Sequence, residues 1–397
     1  MHWISSLSPQ VRQYLLVTGN YWAFTLTDGA LRMLVVLYFH DLGYSPLLIA
    51  LLFLFYEFFG VVTNLVGGWL GARLGLNYTM NIGLALQVVA LSMLLVPTAL
   101  LTVPWVMAAQ ALSGIAKDLN KMSAKSAIKL LVPAEAQGTL YKWVAILTGS
   151  KNALKGVGFF LGGALLALLG FRSAIAAMAI ALALVWLASV LLLKRDLGKA
   201  KAKSKFRDIF SKSRAINLLS AARLFLFAAR DVWFVVALPV FLASQFGWDH
   251  WKVGGFLALW IIGYGIVQSL APRFTGGPPT AKTAFLWAGV LAAIPALIAV
   301  ALHAGIHPAV SLLGGLMLFG FLFAVNSSLH SYLIVRHARE DGVSMDVGFY
   351  YMANAMGRLT GTILSGWVYQ VSGLEACLWI SAVFVLLAAV LASVIRE

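Results

Sequence analysis

Residues 173–193 read SAIAAMAIALALVWLASVLLL, and residues 194–214, which follow directly, read KRDLGKAKAKSKFRDIFSKSR. The first stretch has no charged residue and matches the roughly 20 apolar residues that a helix needs to cross a bilayer. The second carries Lys194, Arg195, Lys199, Lys201, Lys203, Lys205, Arg207, Lys212 and Arg214. It is the one extended hydrophilic segment, and apolar runs fill the chain on either side of it. The positive-inside rule assigns it to the cytoplasm.

Composition agrees. The chain has 397 residues, of which 61% are hydrophobic and 11% charged, with a mean hydropathy of +0.90. Soluble domains carry about 25% charged residues, so a water-soluble enzyme or a disordered chain is excluded. The runs are continuous rather than alternating, which implies helices and not a barrel. Twelve spans are expected, near Tyr14–Phe39, Leu47–Leu70, Met80–Leu100, Pro104–Leu130, Thr139–Leu169, Ser173–Leu193, Ala215–Phe241, Trp251–Ala271, Ala284–Leu302, Ala309–Val335, Met345–Val371 and Ala376–Val394. Arg73, Lys129, Arg273, Lys282, Arg336 and Arg339 then fall on the inner side, and Arg172 and Lys252 on the outer. Both termini are expected in the cytoplasm, with the chain multi-pass in a membrane. Met1–Gln10 lacks a basic leader region, and the first apolar stretch contains Asp28 and Arg32, so a retained helix is expected rather than a cleaved signal. The net charge of +15 is only partly explained by inner loops, and nucleic acid is not the expected partner. The one cysteine, Cys377, leaves no thiol cluster for a soft metal and is expected only to pack. No metal or cofactor is expected.

The halves repeat. An offset of 203 pairs Phe24 with Phe227, Asp28 with Asp231, Lys155 with Arg358, Gly158 with Gly361, Gly163 with Gly366 and Gly170 with Gly373; an offset of 206 pairs Gly114 with Gly320 and Asn120 with Asn326. Two parallel repeats around a basic loop describe a secondary transporter. Gly68-Trp69-Leu70-Gly71-Ala72-Arg73-Leu74-Gly75 resembles the loop signature of the major facilitator superfamily, with Ala72 where an Asp is usual and Leu76 where a basic residue is usual. The expected fold is an all-α polytopic membrane protein of twelve transmembrane helices. It has two six-helix pseudo-repeats, residues 1–193 and 215–397, with 194–214 as cytoplasmic linker.

Charges inside the spans are the specific signal. A central Lys or Arg costs roughly 2.5–3.5 kcal/mol on insertion scales. Arg32, Lys117, Lys121, Lys151, Lys155, Arg223, Arg230 and Arg358 contribute +8, against −4 from Asp28, Glu57, Asp118 and Asp231. If every carboxylate pairs, four cations remain, which points to a wet cavity that an anion enters. The pairs Lys117/Lys121 and Lys151/Lys155 are four apart and Arg223/Arg230 seven apart, each on one helix face. Asn20, Asn120, Asn326 and His330 are candidates to read hydroxyl or carbonyl groups. Asp28, Glu57, Asp118 and Asp231 are candidates for charge pairing or for carrying a coupling proton. Local pairing of Asp28 with Arg32, or of Asp118 with Lys117 or Lys121 through a neighbouring helix, is the bland alternative. Lys125, Lys129 and Lys142 are read as snorkelling and set aside. No nucleophile–base pair and no nucleotide-binding Gly-Lys-Ser/Thr loop is present, so an enzyme is not expected.

Residues 13–32 (QYLLVTGNYWAFTLTDGALR), 113–126 (SGIAKDLNKMSAKS) and 147–156 (LTGSKNALKG) are similar to the ArsJ family of organoarsenical efflux permeases. That resemblance implies export of 1-arseno-3-phosphoglycerate, made when glyceraldehyde-3-phosphate dehydrogenase uses arsenate. The dehydrogenase is thus a functional partner, and the result is arsenate resistance. Resemblance to the superfamily implies that spans one, four, seven and ten line the path, with five and eleven beside them. The expected arrangement has Lys117, Lys121, Lys151 and Lys155 on one anionic end, Arg223, Arg230 and Arg358 on the other, and a monomer working by alternating access. An organophosphate or phosphate exchanger, and a receptor that binds an anion without moving it, remain the alternatives.

Overall fold

The computed structural model describes residues 8–44, 48–49, 52–193, 197–201, 206, 210 and 212–395. Lys194, Arg195, Lys203, Lys205 and Arg207 of the basic segment lie outside the described residues. The helices are α1 (Pro9–Asp41), α2 (Leu54–Leu74), α3 (Leu76–Met93) and α4 (Val103–Leu131). One hydrogen-bonded run, Gln137–Leu192, is broken at Gly170 into α5 (137–169) and α6 (171–192). Then come α7 (Arg214–Phe246, interrupted at Val235 and Val236), α8 (His250–Thr275), α9 (Ala281–His303) and α10 (Pro308–His337). A second broken run, Val343–Ser393, divides at Gly373 into α11 (343–372) and α12 (374–393). These are the twelve transmembrane helices of the fold.

The two breaks are the same feature copied at the repeat offset. Gly170 has φ 72° and ψ 170°, and Gly373 has φ 75° and ψ −174°. That backbone region is essentially reserved for glycine, because any Cβ clashes there. The helix ends are capped in the usual way, for example by the Ser8 hydroxyl on the Val11 N–H at 3.3 Å and by Asp249 on the Lys252 N–H at 2.7 Å.

The boundary between α2 and α3 corrects the sequence reading. Helix was expected to stop near Leu70 and resume near Met80. Instead Gly75 alone separates the two, with φ 102°. A residue free to take positive φ turns the chain in one step, so the flanking residues stay helical.

By Cα proximity the chain forms two compact units. Unit 1 comprises Met1–Leu140, Lys151–Ser211 and Ala338–Met352, and unit 2 comprises Tyr141–Ser150, Lys212–His337 and Ala353–Glu397. Adding the repeat offset of 203 to 141–150 gives 344–353, so the two exchanged segments occupy matching positions. Within unit 1 the start of α11 packs on α2 with Gly68 against Gly348, and the Ser344 hydroxyl donates to the Gly68 carbonyl at 2.7 Å. Within unit 2 the start of α5 packs on α8, where Gly149 lies directly against Ser269 and the Gly265 carbonyl and leaves no room for a Cβ. Small residues at these crossings let backbones touch, which is how helices associate without a hydrophobic drive in lipid.

Residues 197–201 and Phe206 of the linker pack within unit 1. The Leu76 N–H donates to the Leu197 carbonyl at 2.8 Å, the Ala200 N–H to the Ala72 carbonyl at 2.7 Å, and the Lys201 N–H to Asp341 at 2.9 Å. Phe206 meets the Trp69 ring edge-on at 5.8 Å.

Candidate functional site

Each unit holds its own basic cluster. In unit 1 the cluster is built on α4, where Lys117, Lys121 and Lys125 recur every fourth residue and so share one face. At 1.5 Å per residue they climb about 12 Å along the helix. The Lys117 ammonium sits 3.7 Å over the ring of Tyr56. Tyr56, buried on α2, donates its hydroxyl to both oxygens of Asp28 at 2.7 and 2.9 Å. Arg32 does not pair with Asp28. It turns to Glu57 at 3.5 Å and lies over the rings of Phe53 and Tyr56, at 5.0 and 5.4 Å. One turn along α4, Lys121 pairs with Asp118 of its own helix at 2.5 Å, rather than through a neighbouring helix. Asp118 is 1% exposed, and its second oxygen accepts no hydrogen bond among the described residues.

Lys125 is the correction here. Its position predicts a side chain that snorkels to the interface, but it is 3% exposed and its ammonium bonds the hydroxyl of Tyr351. The Tyr351 ring, on the α11 segment of unit 1, lies 4.9 Å from the Lys121 ammonium and 4.6 Å from that of Lys125. Lys151 and Lys155, half-buried on α5, also belong to unit 1. Lys151 donates to Asn152 at 3.3 Å. The backbone of Lys155 touches α1, where a Cβ on Gly29 would lie 2.7 Å from its carbonyl oxygen.

In unit 2 the cluster forms around one carboxylate. Asp231 is fully buried; one oxygen takes Arg230 at 2.5 Å and the other takes Arg358 at 3.3 Å. Arg223, 2% exposed, donates to the Asn354 side chain at 2.9 Å and to both the carbonyl and hydroxyl oxygens of Ser327 at 3.1 Å. Gln268 fixes that hydroxyl from α8 at 2.9 Å. Phe227 carries the Arg223 guanidinium at 4.0 Å and the Arg230 guanidinium at 4.9 Å from its ring centre. Cation–π contact of this kind stabilises a desolvated cation without neutralising it. The helix crossing that brings Arg358 to Asp231 is tight: a Cβ on Gly361 would meet the Ala228 carbonyl at 2.8 Å. Its repeat partner Gly158 meets the Leu26 carbonyl at the same 2.8 Å.

Three of the four neutral candidates bond neighbouring groups of the helices. Asn20 donates to Ser189 on α6 at 2.8 Å and faces Met80 on α3. Asn120 and Asn326 are fully buried, and each donates to the carbonyl four residues back, at 2.9 and 3.0 Å. Asn120 abuts Gly83 of α3 and Asn326 reaches the Trp287 carbonyl of α9, so both brace helix contacts. His330 is fully buried, and neither ring nitrogen has a hydrogen-bond partner among the described residues. Sequence reading missed Tyr56, Ser327 and Tyr351, which carried no signal beyond being polar or aromatic in apolar runs, and it placed Phe227 only as the repeat partner of Phe24. Lys125 did carry one, the four-residue spacing from Lys121.

Twelve helices in repeated halves, with buried cations held by aromatic rings and neutral oxygens, define a polytopic secondary transporter. The model of the Major Facilitator Superfamily matches residues 17–346, and the chain belongs to that family. Solved structures share its fold. The human organic anion transporter MFSD10 (TETRAN) superposes with a TM-score of 0.76 at 17% identity, covering 97% of this chain and 100% of its own. The E. coli fucose:proton symporter FucP superposes at 0.76 and 11% identity, covering 98% and 100%. A bacterial homologue of the iron transporter ferroportin, outward-facing, superposes at 0.76 and 16%, covering 97% and 98%. No curated protein matches the sequence.

Proposed function

We propose that this transporter exports a small organic anion with two oxyanion ends, 1-arseno-3-phosphoglycerate, from the bacterial cytoplasm across the inner membrane by alternating access, and so confers arsenate resistance. The carrying observation is that buried cations gather in each unit with few acids among them. Two guanidiniums, Arg230 and Arg358, share Asp231, a third, Arg223, is held by the neutral oxygens of Asn354 and Ser327, and three lysines rise along α4 beside Asp118. Planar guanidinium forks suit tetrahedral oxyanions, and lysines act as movable point charges. A phosphate ester carries about −1.5 to −2 at neutral pH. Lys117, Lys121, Lys151 and Lys155 engage one end of the solute, and Arg223, Arg230 and Arg358 the other. The resemblance to organoarsenical permeases supplies the arsenate; the charge argument supplies only the anion. Glyceraldehyde-3-phosphate dehydrogenase is the source of the solute, and the basic linker and both termini face the cytoplasm.

The test is arsenate tolerance of sensitive cells carrying the gene with or without the dehydrogenase, for wild type, Lys117→Gln and Arg230→Gln. Protection is expected only when both proteins are present, and each variant is expected to lose it. Protection without the dehydrogenase would refute the substrate, and full protection by both variants would refute the site. Counterflow into proteoliposomes with phosphate, 3-phosphoglycerate and the arseno compound made in situ separates this reading from a phosphate or organophosphate exchanger. Binding without accumulation would make the protein a receptor.

A further inference from the structure

Lys125 and Tyr351 carry an inference that rests on this anion-transport reading and deepens it. The Lys125 ammonium is buried, and it is bonded to a phenol hydroxyl supplied by α11. The same phenol ring lies against the Lys121 ammonium at 4.9 Å. One tyrosine thus attends two of the three lysines that step along α4. Lys125 is the rung nearest the end of α4 at Leu131, and the helix is continuous from it to Lys117.

We propose that the Tyr351 hydroxyl is a stand-in for a substrate oxygen on Lys125, and that an oxyanion entering along α4 displaces it. The chemistry decides the direction. A phenol oxygen is a neutral acceptor, whereas a phosphate or arsenate oxygen carries negative charge and adds Coulomb attraction to the bond from the ammonium. The anion therefore wins Lys125, and a neutral solute does not. Tyr351 is in this way a specificity-determining residue that holds the lysine in place for the right guest and excludes the wrong one.

The experiment is equilibrium binding of 3-phosphoglycerate to the purified full-length protein. Tyr351→Phe removes the competing hydroxyl, and tighter binding by about tenfold is expected, the scale of one hydrogen bond to a charged group. Lys125→Gln is expected to weaken binding by about tenfold, and in that background Tyr351→Phe is expected to change nothing. A purely structural hydrogen bond would give the opposite sign, with Tyr351→Phe weakening binding. Should Lys125→Gln fail to fold, the sign of the Tyr351→Phe effect decides alone. Unchanged or weaker binding in Tyr351→Phe, with wild type and Lys117→Gln differing as expected, overturns this proposal and leaves the transport reading standing. If wild type binds no 3-phosphoglycerate, this proposal falls, and the transport reading stands or falls on counterflow of the arseno compound.

Discussion

Asp231→Asn is the perturbation that most directly probes the unit 2 cluster. The carboxylate is fully buried and holds Arg230 at 2.5 Å and Arg358 at 3.3 Å. Removing one partner of a buried pair leaves the other charge uncompensated, at a cost of about 3–5 kcal/mol. Here two guanidiniums lose the acid, but their side chains are 15% and 34% exposed, so water recovers part of the loss. A value near the lower end, about 3 kcal/mol, is expected. Arg358→Gln in the same chain removes one of the stranded charges, so the double variant should be more stable than the two single losses add up to, by about 1–2 kcal/mol of coupling. The assay is thermal unfolding of the detergent-purified protein, followed by tryptophan fluorescence, for wild type, both single variants and the double. Inorganic phosphate should raise the melting temperature of Asp231→Asn more than that of wild type, because an anion then fills the place of the carboxylate. A melt of Asp231→Asn indistinguishable from wild type, or single effects that simply add, would refute the reasoning that Asp231 stabilises this cluster by charge.

Three further outcomes follow from the geometry. Lys121→Gln should destabilise more than Lys117→Gln, since it strands the buried Asp118 carboxylate while Lys117 leaves only the Tyr56 ring; about 3 kcal/mol against about 1 kcal/mol is expected in the same melt. Gly170→Ala and Gly373→Ala should each cost about 1–3 kcal/mol because no side chain fits the backbone at φ 72° and 75°, and equal melting-temperature losses would follow from their equivalence. Asp28→Asn should cost about 1 kcal/mol in the same melt, because the Tyr56 hydroxyl then loses an ionised acceptor; a melt unchanged from wild type would refute that role.

Much of this molecule was legible in its residue order, and the reasons are local. A bilayer has one length scale and admits one backbone solution, so uninterrupted apolar runs translate directly into helices. The copied glycines at 170 and 373 announced a copied break, because positive φ is a property of the residue itself. Spacing of three, four or seven told which charges share a face. It could not tell what that face meets. Asp28 and Arg32 are four apart and looked like a pair, but α2 brings Tyr56 to one and Glu57 to the other. Lys125 looked like an interfacial residue until the start of α11, more than two hundred residues away, packed Tyr351 onto it. Asn120 and Asn326 were candidates as polar residues on spans that carry cations, and each meets a neighbouring helix, Asn120 at Gly83 and Asn326 at the Trp287 carbonyl. Periodicity along one helix is intrinsic to the chain. The partner of a buried charge is set by which helices cross, and those crossings depend on small residues far apart in sequence meeting backbone to backbone.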